Sequence, residues 1–282
     1  MQTITTAKQF NKWRIKQKNS VGFIPTLGAL HKGHLSLIQI SQSMCQLTVV
    51  SIFLNPTQFS ENEDLSSYPS TITKDIDALK KLQVDILFLP NEKEMYECVD
   101  DVAVPEQSLF QKLEGASRPH FFYGVTTIVA KLFNVIDPSH VFFGQKDAQQ
   151  LIIIQQMIHD MKYPIDLVSC PTIRNKHGLA LSSRNQYLTK LEQKKAAIIY
   201  KGLMYIKNEL KAGINNPCVL KDGYKQFVEK NIDIKVDYIS IADQTSLEEV
   251  KTITKQQLLI STAVFFKSVR LIDNFTYSAS DT

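Results

Sequence analysis

Residues 21–42 read VGFIPTLGALHKGHLSLIQISQ, and the change of period inside them decides the fold. VGFIP is an apolar run of strand length, TLGALHKG carries Gly28 and Gly33, and the residues after it fall into helical spacing, with Leu37, Ile40 and Met44 on one stripe. A buried strand that passes through a glycine loop into an amphipathic helix is one βα step. Further candidate strands stand at 47–54 (LTVVSIFL), 84–89 (VDILFL), 140–143 (HVFF) and 165–168 (IDLV), and a second helix is striped by Leu151, Ile154, Ile158 and Met161. This rhythm predicts an α/β fold with a mostly parallel sheet over residues 1–172.

The rhythm changes after CPTIRNKHGLALSSRN at 170–185. A long helix is expected on the stripe Ala196, Ile199, Leu203, Ile206 and Leu210, stopped by Gly213, with a second helix around 217–230. IKVDYISIA at 234–242 and QQLLISTAVFFKSVRLID at 256–273 then read as strands. Residues 173–282 are therefore expected to form a smaller α+β domain ending in the polar, frayed YSASDT.

Over 282 residues, 32 Lys and Arg stand against 28 Asp and Glu, a net charge of +4 that is too mild to announce a nucleic-acid protein and leaves a small polyanion as the expected anionic partner. Cys45, Cys98, Cys170 and Cys218 lie dozens of residues apart, outside the spacing of a zinc or dithiol site, and are expected to be reduced, structural thiols. No run approaches 18 apolar residues, and the first twenty residues lack an apolar signal segment, so the expectation is a cytoplasmic protein with no membrane partner.

Four segments carry candidate chemistry. In the first, glycines let backbone approach a bulky anion, and the opening N–H groups of a helix starting near Leu30 can donate to phosphate oxygens. His31 and His34, three apart, can lean together toward charge developing on a phosphate, or serve simply as capping residues. The loop has neither P-loop nor dinucleotide-fold spacing, and no third ligand stands near the pair at metal spacing. In VFFGQKDAQQLIIIQ, Gly144 turns the chain and Lys146 and Gln150 share a helix face, suited to phosphate and to a polar substrate, or to a solvated first turn. Both loops would follow parallel strands, where open α/β sheets bind ligands. In GLALSSRNQYL, Ser182, Ser183 and Arg184 suit a mobile phosphate clamp. In SIFLNPTQF, Asn55 and Gln58 can recognise a hydroxyl or carboxylate, or cap a turn.

In this order, and together with NEDLSSYP (62–69), LEGASRP (113–119) and GVTTIVAKLFN (124–134), these segments resemble the pantothenate synthetase (pantoate–β-alanine ligase) family, within the nucleotidylyltransferases that share H-x-G-H with class I aminoacyl-tRNA synthetases. The likeness covers nearly the whole chain. It implies a Rossmann-like nucleotide-binding domain with a C-terminal lid, and a two-step ligation in which (R)-pantoate attacks the α-phosphate of ATP and β-alanine then attacks the pantoyl-adenylate. By the resemblance ATP is held by Leu27, Gly28, Ala29 and Leu30, by His31, Lys32, Gly33 and His34, and by Gly144, Gln145, Lys146 and Asp147, with Asp147 toward ribose. Ile173 would pack near adenine, and Leu181, Ser182, Ser183 and Arg184 would clamp phosphate. His34, His31 and Lys146 are the implied catalytic residues; Gln58 and Gln150 would hold pantoate, with β-alanine entering near Gln58. Mg²⁺ is implied by the triphosphate with no protein ligand named, and a homodimer is implied as well.

Three positions depart from the family pattern. Phe121 stands where a histidine is usual, with His120 one residue early; Leu27 stands for Met; Tyr123 replaces a commonly basic residue near the expected pantoate entrance. The rival readings are a nucleotidyl-transferring relative with another acid, which the paired Gln58 and Gln150 argue against, and a silent nucleotide- or RNA-binding module, which lacks any long basic run.

Overall fold

The computed structural model describes residues 1–60, 63–104, 108–254 and 257–278. The last four residues of the expected frayed tail lie outside them, as do Asn62, which opens NEDLSSYP, and Gln256, which opens the last expected strand run. In chain order the first part runs β1 (Gln2–Ile4), α1 (Ala7–Arg14), β2 (Val21–Thr26), α2 (Lys32–Met44), β3 (Leu47–Ile52), α3 (Ile72–Lys81), β4 (Ile86–Phe88), α4 (Glu114–Ser117), α5 (Phe121–Ile136), β5 (His140–Gly144), α6 (Ala148–Asp160) and β6 (Asp166–Cys170). Its strands form one parallel sheet in the order β1-β4-β3-β2-β5-β6.

The order follows from burial. β2 and β3 are buried along almost their whole length, as strands covered on both faces must be, and they pair Phe23 with Val49 at the sheet centre. One face packs α1 and α5 through Phe10, Phe23, Val129 and Phe133; the other packs α2 and α3 through Ile24, Ile38, Val50 and Leu79. From β2 the chain moves outward through β3 and β4 on one side and returns through β5 and β6 on the other, so the strand order reverses between β2 and β5. A ligand crevice opens at such a point beyond the carboxyl ends of the strands.

Several sequence expectations are corrected. β1 was not anticipated: it is a three-residue edge strand with only Ile4 buried, too short to show a period. The inner face of α2 is Leu37, Ile38 and Ser41, while Met44 is exposed; Ser41 is tolerated inside because its hydroxyl pairs with Thr48 Oγ1 at 2.9 Å. The helix opens at Lys32 with His31 as its cap, not near Leu30. Cys98 and Cys218 are exposed, whereas Cys45 and Cys170 are buried.

The second part contains α7 (Lys190–Ala196), α8 (Ile198–Lys211), α9 (Pro217–Val228) and an antiparallel sheet of β7 (Ile234–Asp243), β8 (Leu258–Phe266) and β9 (Val269–Tyr277) in that order. The expected single long helix is two, broken at Ala197; the stripe Ile199, Leu203, Ile206 and Leu210 is buried on the sheet as expected. Gly213, at φ +91°, ends it, its N–H donating to Leu210 O. Leu247 and Leu259 pack onto Phe110, Phe122 and Ile153 of the first part. Asn274 Nδ2 donates to the backbone oxygens of Gln145 (3.0 Å) and Lys146 (2.7 Å), so β9 grips the turn after β5 directly. Among the described residues no helix is long and apolar enough to cross a membrane.

Candidate functional site

A cavity of about 870 Å³ opens at the strand-order reversal and extends to the inner face of the C-terminal sheet. The loops after β2, β3, β5 and β6 and the segment 181–184 all reach it. Of the sequence-predicted residues, Leu27, His31, Gly33 and His34 line it from the first loop, Gly144, Lys146 and Asp147 from the second, and Ile173 from the third. Leu181, Ser182, Ser183 and Arg184 close one side, and Gln58 and Gln150 line it too. Gly28, Ala29, Leu30, Lys32 and Gln145 do not reach the cavity wall.

The reason lies in how the first loop satisfies its own backbone. Gly28 (φ +89°) and Ala29 (φ +51°) take left-handed conformations, which turn the next amides inward. Ala29 N–H and Leu30 N–H donate to the carboxylate of Asp75 on α3 at 2.8 and 2.9 Å, and Thr71 Oγ1 donates to the same group at 3.0 Å. Gly28 N–H donates to Thr26 Oγ1 at 3.3 Å. His31 Nδ1 accepts from Gly33 N–H at 3.1 Å, His34 Nδ1 accepts from His31 N–H at 3.3 Å, and the two histidines together form a reciprocal capping box on α2. The expected cradle of loop amides is thus corrected: from Gly28 to His34, only the amide of Lys32 lacks a partner among the described residues. Asp75, 46 residues from Ala29 in sequence, is the residue sequence reasoning missed; an acid in the first turn of a helix is ordinary, and nothing local marks its partner.

The two imidazoles stack, with centroids 4.0 Å apart and planes at 26°. Gly33 permits this, because a Cβ there would stand 2.8 Å from His31 Cε1. With both Nδ1 atoms accepting backbone hydrogens, the protons sit on Nε2. Burial first, and then the Lys146 ammonium, lower His31 to about 4; burial, His31 and Lys146 hold His34 well below the ordinary histidine value. The pair is therefore neutral at pH 7, an array of N–H donors.

The clamp segment is likewise engaged. Ser183 Oγ donates to Ala29 O at 3.1 Å, tying 181–184 to the first loop, and Ser182 Oγ accepts from Arg184 N–H at 3.3 Å. Arg184 forks onto Asp64, with Nε and Nη2 donating at 3.0 and 2.7 Å. Beside it, Glu63 receives Arg118, whose Nη2 donates to Glu63 Oε2 at 2.7 Å and to Gln58 O at 3.2 Å. Burial alone would raise the Glu63 and Asp64 carboxyls, yet their arginines overcome it and hold both below the usual carboxylate range. NEDLSSYP carries both acids in plain view, but the sequence shows no reason to pair them with residues 55 and 120 positions away.

Asn55 is fully buried and structural: its Nδ2 donates to Gly124 O (3.1 Å) and to Gln58 Oε1 (3.2 Å), and its Oδ1 accepts from Thr57 and Tyr96. The bond to Gln58 fixes that side chain's amide, leaving Nε2 to donate into the cavity. Gln150 lines the cavity with no partner among the described residues. Ile173 O accepts from Leu181 N–H at 2.9 Å, which ties that stretch of the cavity wall to the clamp segment. Lys146 Nζ rests 3.3 Å from Asp147 Oδ1. His120 is exposed at the start of α5 and does not line the cavity, so no imidazole replaces the one Phe121 displaces. Tyr123 does not line it either; its ring packs edge-on against Phe110, with centroids 4.9 Å apart.

The family profile described as Pantoate-beta-alanine ligase matches residues 1–276. The pantothenate synthetase of Thermosipho africanus is 41% identical over 274 residues, covering 97% of this chain and 98% of its own. Among solved structures, pantothenate synthetase from Thermus thermophilus superposes with a TM-score of 0.89 at 33% identity, over 98% of this chain and 99% of that one. Pantoate-beta-alanine ligase from Francisella tularensis, complexed with beta-gamma ATP and beta-alanine, does so with a TM-score of 0.78 at 33% identity, over 98% and 97%.

Proposed function

The chain belongs to the pantoate-beta-alanine ligase family, and from that premise we propose that it joins (R)-pantoate to β-alanine through a pantoyl-adenylate made in the cavity between β2 and β5. It is an ATP-using ligase, and its own residues account for both halves of the reaction.

A carboxylate is a weak nucleophile and ATP a polyanion, so the first step is opposed by charge and by disorder of the two reactants. Gln58 Nε2 and the Gln150 amide hold pantoate so that a carboxylate oxygen faces the α-phosphorus. As that oxygen bonds to phosphorus, the bond to the bridging oxygen breaks and pyrophosphate leaves with the electron pair. His31 and His34 present Nε2–H groups to the phosphate oxygens on which charge grows, fixed beforehand by their backbone bonds. Lys146 supplies the full positive charge nearest the pair. Arg184 exchanges Asp64 for the departing phosphates, swapping one fork of hydrogen bonds for another. In the second step the free amine of β-alanine adds to the pantoyl carbonyl, AMP departs with the electrons of the acyl–oxygen bond, and the proton lost by the amine passes to water. Ser183, bonded across to Ala29, and Leu181 cover the mixed anhydride against water.

Mg²⁺ does not find a protein cage here. No group of three His, Cys, Asp or Glu among the described residues is arranged to hold a metal, and the histidines turn N–H groups, not lone pairs, to the cavity. When bound, the ion would be held by triphosphate oxygens and water and would screen their charge. The proposal extends to residues 173–282 acting as a lid and to a cytoplasmic homodimer, which sedimentation and cell fractionation test.

The observation that carries the reading is the meeting of the loops after β2, β3 and β5 and the segment 181–184 at one cavity. Exchange of labelled pyrophosphate into ATP is expected only with pantoate present, and pantothenate and AMP only on adding β-alanine. ATP binding without pantoate-dependent exchange would overturn it.

A further inference from the structure

We infer that Arg118, oriented by Glu63 and stacked on Phe121, is the receptor for the carboxylate of the amine substrate and so the residue that selects a β-amino acid over a simple amine; this rests on the ligase reading. The second substrate is a zwitterion. Its amine must be free to attack, so its carboxylate is the end by which a site can hold it, and a water-excluded carboxylate needs a cation or several N–H donors.

Among the described residues four cationic side chains line the cavity. Lys146 lies with the histidines, where it lowers both of their pKa values, at the phosphate end. Arg184 belongs to the 181–184 clamp. Every nitrogen of Arg270 is engaged: its Nε and Nη2 donate to Asp237, and Nη1 and Nη2 donate to Glu114, across the junction of the two parts of the chain. Arg118 differs in place and in capacity. Its Nη2 touches the backbone oxygen of Gln58, the residue that faces pantoate, so it sits against the acyl substrate's end of the cavity. Nε and Nη2 are committed to Glu63, and Nη1 has no partner among the described residues. The ring of Phe121 lies under the guanidinium, 3.7 Å from Cζ to the centroid, and keeps the fork planar against one wall. The adjacent acids Glu63 and Asp64 thus hold two arginines in the same manner, Arg184 for phosphate and Arg118 for carboxylate. Phe121, standing where the family resemblance expects a histidine, serves here as a platform.

The test compares β-alanine with β-alaninamide, which keeps the amine and the chain length but lacks the negative charge. Wild-type enzyme is expected to prefer β-alanine, and Arg118→Gln to lower the ratio of kcat/KM values about 10- to 100-fold, mainly through the KM for β-alanine, as loss of a charged hydrogen-bonded pair does. Any general damage cancels in the ratio. Arg118→Lys keeps a partner for Glu63 and is expected to give an intermediate ratio. Equal use of both amines by the wild type, or an unchanged ratio in the variants, overturns the inference. A wild type without pantoate-dependent pyrophosphate exchange would instead sink the ligase reading beneath it.

Discussion

The stacked histidines set how the protein responds to acid. His31 titrates at 6.5 when unfolded and is lowered to about 4 in the fold by burial and by Lys146. As pH falls below 6.5 the unfolded chain takes up a proton that the folded chain refuses, so His31 leaves stability intact above that value and removes it progressively down to about 4. Integrating that one site from about pH 7 to about pH 5 gives a loss of about 2 kcal/mol. His34 adds to it in the same direction. The perturbation is His31→Asn, because asparagine caps helix N-termini well and removes the titration without removing the cap. Urea unfolding followed through the lone tryptophan, Trp13, reads the correct part of the molecule, since that ring packs on Phe10 at 5.2 Å within the core of the parallel sheet. The variant should lose about 2 kcal/mol less than wild type between the two pH values. Equal losses would mean that His31 titrates normally, and the neutral-donor account of the pair would fall with it.

Three further outcomes are expected. Gly33→Ala places a methyl carbon 2.8 Å from His31 Cε1 and 2.9 Å from Nδ1, so the ring must swing away; stability should fall by about 1 kcal/mol on thermal unfolding, and pyrophosphate exchange by about 10- to 100-fold. Asp75→Ala strands the amides of Ala29 and Leu30 and should cost roughly 2–4 kcal/mol in chemical denaturation. Lys146→Ala should slow exchange by roughly a hundredfold while the melting temperature barely moves; His34→Ala should slow it as much and, losing its half of the capping box, also cost about 1 kcal/mol of stability, and near-normal turnover by either folded variant would remove it from the proposed chemistry.

How far the sequence carries can be judged at particular residues. The strand and helix flanking the glycine loop were legible because burial on two faces writes a continuous apolar run and burial on one face writes a helical stripe. The strand-order reversal was legible in outcome, since loops after successive parallel strands must share one edge of the sheet. What the sequence hid is long-range and polar. Ser41 looks like a solvent position until Thr48 meets it, and Met44 looks like core until the helix ends beside water. The helix start was displaced because histidine is an unusual cap, made possible here by a glycine two residues on. Asp75, Glu63 and Asp64 each look like ordinary surface acids, and their partners are fixed only by the tertiary fold.

These acids explain why the cavity can be charged and still be built in advance. A bare cluster of Lys146, Arg118, Arg184 and Arg270 would repel itself and be costly to desolvate. Each is instead matched: Lys146 by Asp147, Arg118 by Glu63, Arg184 by Asp64, Arg270 by Glu114 and Asp237. Two of the matches, at Arg118 and Arg184, leave Nη1 without a partner among the described residues, and these are the two arginines assigned to substrates. The match at Arg270 leaves no nitrogen over, and that residue joins the two parts of the chain. With the loop amides turned inward onto Asp75, anion recognition passes from backbone to side chains, whose counter-ions can be exchanged for substrate without rebuilding the loop. Phosphate then replaces Asp64 at the Arg184 fork, while carboxylate adds at Arg118 Nη1 beside a retained Glu63, so little ordering remains to oppose the approach of two negatively charged reactants.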